Sequence, residues 1–289
     1  MNFKIFCTDR NNYQILYGTK VFAGGEVQVR LGKLPVGFSD SMHDNEITID
    51  GIIKNSDMFM ELMMLCDALH RCGKVEITLD LHYLPYARQD RVCTPGESFA
   101  LSQFASLLER VYAHKIIFDD VHSSVAIDLL SVVGVNCRFR TQSDLIAGLI
   151  PPHSVLLVSP DNGASSKTDL LSMYSMNDMM QYKKVRDPNS GQIIKTEIDY
   201  GEELIAGRDC FIADDILDGG RTFVPIIEDL ISKGAKRVFL CTTHAIVPYG
   251  IQHLLDSGLS AYFYVNSFLD NDLEGMYHAS RISDFIGEE

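Results

Sequence analysis

Residues 209–222, DCFIADDILDGGRT, restrict the folds open to this chain more than any other stretch. The apolar run Cys210, Phe211, Ile212, Ala213 has the length and composition of a buried strand, and it runs into paired carboxylates, Asp214 and Asp215. Asp218, Gly219, Gly220, Arg221 and Thr222 follow, and then Phe223, Ile226, Ile227, Leu230 and Ile231 recur at helical spacing. The segment reads strand, acidic glycine loop, helix. Adjacent glycines let backbone N–H groups close on an anion, and the start of a helix adds partial positive charge, so the loop is suited to cradle a phosphate. The carboxylates would repel that phosphate unless they hold ribose hydroxyls, or Mg²⁺ through water, beside it. An acidic turn capping a buried strand would account for one Asp and one Gly, but poorly for the whole set.

Bulk composition narrows the partners. A chain of 289 residues with 46% apolar content can bury a full core and divide into two domains. The formal charge of −14 and a pI near 5.0 exclude a nucleic-acid backbone as partner and require any phosphate-handling cations to be locally concentrated. The seven cysteines are odd in number and lack C-x-x-C spacing. They read as core residues in a reducing compartment. The N-terminus MNFKIFCTDR is not a signal peptide, and no run reaches the roughly 18 apolar residues of a membrane span, so a cytoplasmic protein without membrane contact is expected.

Strand, polar loop and helix alternate elsewhere too. Residues 21–30, VFAGGEVQVR, alternate apolar and polar after a glycine turn, by themselves an ordinary hairpin. Residues 55–71 place Met58, Leu62, Leu65, Ala68 and Leu69 on one helical face, with Asn55 or Ser56 as cap. A strand at 75–79 leads into DLHYLPYARQDR, where Pro85 ends the strand and exposes Arg88, Gln89, Asp90 and Arg91. Arginines there would offer paired donors to phosphate oxygens. A helix at 98–112 and a strand at 115–118 precede DDVHSS, in which His122 stands two residues after Asp120. The apolar run 155–158 enters SPDNGASSKT, a second strand, acidic glycine turn and helix start. Residues 182–199 read as a hairpin with Pro-Asn-Ser-Gly at its tip and Lys184 and Arg186 on its first arm. Strands at 237–242 and 261–265 complete the pattern. Such alternation implies right-handed crossovers and parallel sheets covered by helices. No G-x-x-x-x-G-K-[ST] or strand-linked G-x-G-x-x-G occurs, which disfavours P-loop and dinucleotide folds.

Taken together and in order, these motifs resemble those of the ribose-phosphate diphosphokinases, or PRPP synthetases, from Phe22 to about Asn266. The resemblance implies an α/β chain of two similar doubly wound parallel-sheet domains of the phosphoribosyltransferase type, at 1–140 and 141–289, with the site between them. It further implies a homo-oligomer, ATP and a ribose phosphate as substrates, and Mg²⁺ as cofactor. Phe22 and Glu26 match the family's adenine-recognising F-x-x-G-E, although Gly24 stands where Asp is usual. Arg88 and Gln89 match the ATP contacts in YARQDR, whose usual further Arg is missing before Glu97. His122 matches the D-x-H histidine on the Mg-ATP side, and Asp161 and Gly163 match the segment near magnesium and ribose, which makes His122 and Asp161 the metal candidates. Lys184 and Arg186 match the K-x-R of a hairpin that covers the ATP phosphates, with Lys183 as the competing lysine. Asp214, Asp215 and Asp218 to Thr222 match the ribose-phosphate loop.

The implied reaction transfers the β,γ-diphosphate of ATP to the anomeric hydroxyl of ribose 5-phosphate or a larger acceptor. The usual D-T-A-G-T is here Asp218, Gly219, Gly220, Arg221, Thr222, which loses a hydroxyl donor and gains a long cation. That predicts a wider, more cationic pocket. It resembles the phage branch of the family, which pyrophosphorylates ADP-ribose for NAD⁺ biosynthesis; unchanged use of ribose 5-phosphate is the conservative reading. A PRPP-consuming phosphoribosyltransferase would share DDILDGG without needing YARQDR, DDVH or K-x-R. Retention of His122, Asp161, Lys184 and Arg186 argues against a non-catalytic regulatory relative.

Overall fold

The computed structural model describes residues 2–39, 44–186 and 193–286, with the side chains of Arg186 and residues 193–195 outside that description. The chain divides into two compact units, Met1–Arg140 and Thr141–Glu289.

The first unit contains β1 (Phe3–Cys7), β2 (Tyr13–Ile15), β3 (Tyr17–Val21), β4 (Val27–Leu31), β5 (Asn45–Gly51), α1 (Ser56–Cys72), β6 (Val75–Leu81), α2 (Ala100–Glu109), β7 (Lys115–Asp119), α3 (Ser124–Val132) and β8 (Cys137–Arg140). Its main sheet has the order β2-β1-β5-β6-β7-β8, parallel from β5 onward, with β1 antiparallel to both neighbours; β3 and β4 pair separately. The sequences of β5 and β6 explain which face is buried. NEITIDG and VEITLDL turn Ile47, Ile49, Ile77, Leu79 and Leu81 into a core shared with Leu62, Leu65 and Leu69 of α1 and Leu101 and Leu108 of α2. Thr48, Asp50, Thr78 and Asp80 alternate with them onto the polar face. Helix α1 starts where Asn55 accepts a hydrogen bond from the Met58 N–H at 3.0 Å. Glu61 is buried in α1, where it accepts the Tyr17 hydroxyl at 2.6 Å.

The second unit contains α4 (Gln142–Ile146), β9 (Leu156–Ser159), α5 (Ser165–Ser175), β10 (Asp178–Arg186), β11 (Ile193–Tyr200), β12 (Asp209–Leu217), α6 (Phe223–Ser232), β13 (Arg237–Ala245), α7 (Gln252–Asp256), β14 (Ala261–Ser267), β15 (Met276–His278) and α8 (Ile282–Phe285). Its sheet has the order β11-β10-β9-β12-β13-β14-β15, parallel except for the β10–β11 hairpin. Leu156, Ile212 and Leu240 enter one core cluster, while Leu157, Phe211 and Phe239 enter another. Both faces are therefore covered, which is why these strands read as continuous apolar runs.

The chain leaves β9 through α5 to β10 on one side, whereas β12 lies on the other and leads away through α6 to β13. Strand order thus reverses between β9 and β12, and a crevice at the strands' carboxyl ends is the expected ligand position there. Both units have the expected α/β character, although their elements are longer or shorter than the sequence predicts. Strand β12 does not stop before the paired carboxylates but continues through Asp214 and Asp215 to Leu217, because β13 is equally long and pairs with it up to Ala245. Helix α2 is shorter than 98–112. The cysteines also differ in part from expectation: none forms a disulfide, Cys7, Cys66, Cys210 and Cys241 are buried, but Cys93 is exposed. Among the described residues no helix is long and apolar enough to cross a membrane.

Replacing Asn55 by Ala removes the side-chain acceptor that starts α1 and is expected to cost about 1 kcal/mol. A urea midpoint equal to that of the unsubstituted protein would show that the cap contributes nothing.

Candidate active site

Two loops of the second unit and the end of β12 bring the predicted sugar-phosphate residues to one edge of the sheet. After β9, Asp161 turns back on the chain: its Oδ1 accepts the N–H groups of Gly163 at 2.8 Å and Ala164 at 3.1 Å, just before α5 begins. Its Oδ2 pairs with Lys184 Nζ, which reaches it from β10. Burial would raise the Asp161 carboxyl, but Lys184 and the two backbone donors outweigh it and hold the group below its ordinary value. Lys183 points elsewhere, to Asp199 at 3.0 Å, which separates the two candidate lysines. Arg186 ends β10, and its side chain and the hairpin tip at 187–192 lie outside the described residues.

At the end of β12 the Asp214 carboxyl is raised well above its ordinary value, first by burial and then by the adjacent Asp215 carboxylate, with Asp161 adding to the effect. The pair resists holding two negative charges. Asp214 Oδ1 accepts the Asp215 N–H at 2.8 Å, and Lys167 of α5 lies 3.8 Å from Asp215 Oδ2. Gln142 donates to the Asp214 backbone carbonyl and, at 3.3 Å, to Thr243. Beyond them Gly220 has φ of 70°, and its carbonyl accepts the Phe223 N–H at 2.9 Å as α6 begins. A Cβ on Gly219 would meet nothing within 4 Å, whereas one on Gly220 would fall 2.5 Å from His253 Nε2. Asp218 and Thr222 are partly buried beside these glycines, and Arg221 is exposed.

The predicted ATP residues fall in the first unit. Phe22 and Glu26 close the β3–β4 hairpin, with the Phe22 N–H donating to the Glu26 carbonyl at 2.9 Å and Lys20 Nζ lying 4.6 Å from the Phe22 ring centre. A Cβ on Gly24 would stand 2.6 Å from a Glu26 carboxylate oxygen, so a further carboxylate there would crowd a like charge. Arg88 and Gln89 are exposed in the loop after β6, and His122 is exposed in the loop after β7. These two loops are joined, because Ser123 Oγ donates to Asp90 Oδ2 at 2.8 Å. Asp90 also accepts Arg91 at 2.9 Å, which holds its carboxyl below the ordinary value. Asp90 and Arg91 therefore brace the loop, while Arg88 and Gln89 face solvent.

Two family models match successive parts of the chain. Residues 16–111 match the N-terminal domain of ribose phosphate pyrophosphokinase, and residues 171–252 match the phosphoribosyl transferase domain. A ribose-phosphate pyrophosphokinase of Staphylococcus saprophyticus is 30% identical over 244 residues, covering 76% of this chain and 72% of the relative. That of Staphylococcus haemolyticus is 28% identical over 270 residues, covering 85% and 80%. The chain belongs to the ribose-phosphate pyrophosphokinase family. As a member of that family it is a diphosphotransferase-type enzyme. The fold agrees as well: phosphoribosylpyrophosphate synthetase from Mycobacterium smegmatis superposes with a TM-score of 0.75 over 96% of this chain and 90% of that one, at 21% identity.

Three residues of this family member escape sequence reasoning. Lys167 lies within SPDNGASSKT, and its position in the first turn of α5, close behind the Asp161 loop, was the available signal. Gln142 and His253 offer no local signal, being 72 residues before Asp214 and 33 residues after Gly220. The Nε2 of His253 is buried without a hydrogen-bond partner. Gly220→Ala would therefore combine a left-handed backbone with a close approach to His253 and is expected to lower stability by about 1–2 kcal/mol. Placing it in a His253→Ala background should recover part of that loss in denaturant titrations. Equal losses in both backgrounds would mean that the contact is immaterial.

Proposed function

We propose that this enzyme transfers the β,γ-diphosphate of ATP to the anomeric hydroxyl of a ribose that carries a 5-phosphate, releasing AMP. The observation that carries this reading is the pairing of two acidic glycine loops, 160–164 and 218–222, at the reversal of strand order between β9 and β12, with a hairpin lysine reaching one of them. The anomeric oxygen attacks the β-phosphorus in line, its bond to the α-phosphate oxygen breaks, and the hydroxyl proton passes to solvent. Arg88 and Gln89, with His122, take the triphosphate side, and Phe22 and Glu26 take the adenine. Asp214 and Asp215 orient the ribose hydroxyls. Because the pair resists double ionisation, a protonated carboxyl can donate to one hydroxyl oxygen while its neighbour accepts from another. Backbone N–H groups and Thr222 of the 218–222 loop hold the 5-phosphate. Lys184 and Arg186 stabilise negative charge on the transferring group.

Magnesium suits the Asp161 carboxylate better than the His122 imidazole, because so hard a cation prefers oxygen donors. It binds through one or two carboxylates plus substrate phosphates rather than an all-protein cage, and among the described residues no group of three or more His, Cys, Asp and Glu could hold a metal alone. Asp161 would hold the ion, with His122 on the ATP side, and when bound it would neutralise charge on the diphosphate oxygens.

The acceptor favoured by the loop is ADP-ribose, giving ADP-ribose 1-diphosphate for NAD⁺ synthesis. Open space at Gly219 and the exposed Arg221 leave room and charge for a second phosphate beyond the first. Ribose 5-phosphate, giving PRPP, is the alternative that a narrow pocket would select.

With ATP and Mg²⁺ supplied alongside each acceptor separately, AMP release and the mass of the sugar product should show higher efficiency for ADP-ribose. Ribose 5-phosphate turned over far more efficiently would remove the wide-pocket reading, and inactivity with both would remove diphosphate transfer. Lys184→Ala and Arg186→Ala are each expected to lower kcat by roughly a hundredfold with little change in the KM for ATP. A near-normal kcat in both would reduce the hairpin to a solvated loop.

A further inference from the structure

Beneath the Arg88 and His122 loops, the first unit carries an ion network to which the reaction proposed above assigns no role. Asp50 at the end of β5 lies directly across from Asp80 of β6, and Asp119 ends β7. Like charges facing each other on neighbouring strands repel, so this edge needs cations. Lys4 of β1 stands opposite Asp50, and Arg140 of β8 stands opposite Asp119. Arg140 Nη2 donates to Asp80 at 2.6 Å, and its Nε donates to Asp119 Oδ1. His82, the first residue after β6, bridges the remaining oxygens: Nε2 lies 3.1 Å from Asp50 Oδ2 and Nδ1 lies 3.2 Å from Asp119 Oδ2. Both nitrogens can donate at once only when the ring is the imidazolium. Burial would lower the histidine, but Asp119 and Asp50 outweigh it and raise it to about 9.

The chain positions of these groups give the network a use beyond neutralisation. His82 begins the loop that presents Arg88 and Gln89. Asp119 begins the loop that presents His122, and the next residue, Asp120, is a non-glycine at φ of 36° whose N–H is held by the Arg140 carbonyl at 2.7 Å. Strained backbone of this kind persists where its surroundings over-determine it. The loops are also tied further out by Ser123 and Asp90. We infer that His82 is a positioning residue, which clamps the bases of the Arg88–Gln89 and His122 loops together and so sets the spacing of the groups that receive the ATP phosphates. The inference rests on the ATP-binding role proposed for those loops.

The test is calorimetric binding of ATP with Mg²⁺ to the full chain, alongside thermal unfolding. His82→Gln, which cannot bridge both carboxylates as a cation, is expected to weaken ATP binding by roughly 10- to 100-fold, the scale reached when a remote change misplaces a bound group. In the unsubstituted protein the imidazolium holds the clamp below the pKa and loses it above, so ATP affinity should fall as pH rises through about 9. In His82→Gln that fall should be absent. Asp50→Asn keeps the Asp119 contact but removes one anion, so it should move the fall to lower pH; it carries the test if His82→Gln does not fold. Asn45→Ala, which removes buried contacts with the Phe38 and Lys74 carbonyls at the opposite end of β5 from Asp50, should lower the unfolding temperature and leave ATP affinity unchanged. ATP affinity and its pH dependence unaltered in the His82 and Asp50 variants, with only the unfolding temperature reduced, would overturn the inference. No ATP binding by the unsubstituted protein would overturn the diphosphate-transfer reading itself, and the clamp with it.

Discussion

Carboxylates at the carboxyl ends of parallel strands are the constraint on which this structure turns. The chain has a formal charge of −14, so acidic groups gathered at these strand ends need compensation before a further anion can approach. Compensation recurs in both units. Asp161 is paired with Lys184, Asp215 lies near Lys167, and Asp119 is shared between His82 and Arg140. Asp214 instead resists ionisation beside its neighbour. Pairing, protonation and backbone N–H groups are different answers to one electrostatic problem, and all of them lie at the edge where helices and loops begin.

The sequence discloses the second unit better than the network of the first because the second unit's information is contiguous. In SPDNGASSKT and DDILDGGRT a strand end, a carboxylate, glycines and a helix start follow one another, so local periodicity and turn chemistry locate them without any tertiary knowledge. The His82 network has no such expression. Lys4, Asp50, Asp80, Asp119 and Arg140 come from five strands and meet through sheet register, which single-sequence reasoning does not supply. Strand ends are misjudged for a related reason. Asp80 and Asp214 look like loop residues by composition, but each continues a strand because its neighbour continues to pair. An edge that favours polar side chains thus hides the true extent of the strand from a hydrophobicity pattern.

Family resemblance and local physics also carry different kinds of information about the loops. The start of α6 is held by a backbone hydrogen bond that many side chains would tolerate, whereas the turn at 161–164 depends on the Asp161 carboxylate as acceptor. Side chains between those anchors are freer to differ. Gly220 is constrained on both backbone and space, while Gly219 is constrained by neither the backbone angle nor a neighbour. A side chain is therefore accommodated more readily at Gly219 than at the glycine beside it.

In the proposed reaction, Lys184 and Asp161 would connect that framework to chemistry. A lysine that leaves a carboxylate for a phosphate exchanges one anion for another, so the Coulomb cost of drawing it toward the transferring group is small compared with bringing in an unpaired cation from water. Asp161 is then left with only the N–H groups of Gly163 and Ala164 on Oδ1, and its Oδ2 loses its cation. Asp161 Oδ2 would then be open to hold a hard divalent cation, which prefers oxygen donors. The ion pair keeps this edge electrically balanced, and in the proposed reaction the substrate's own charge would let the pair separate.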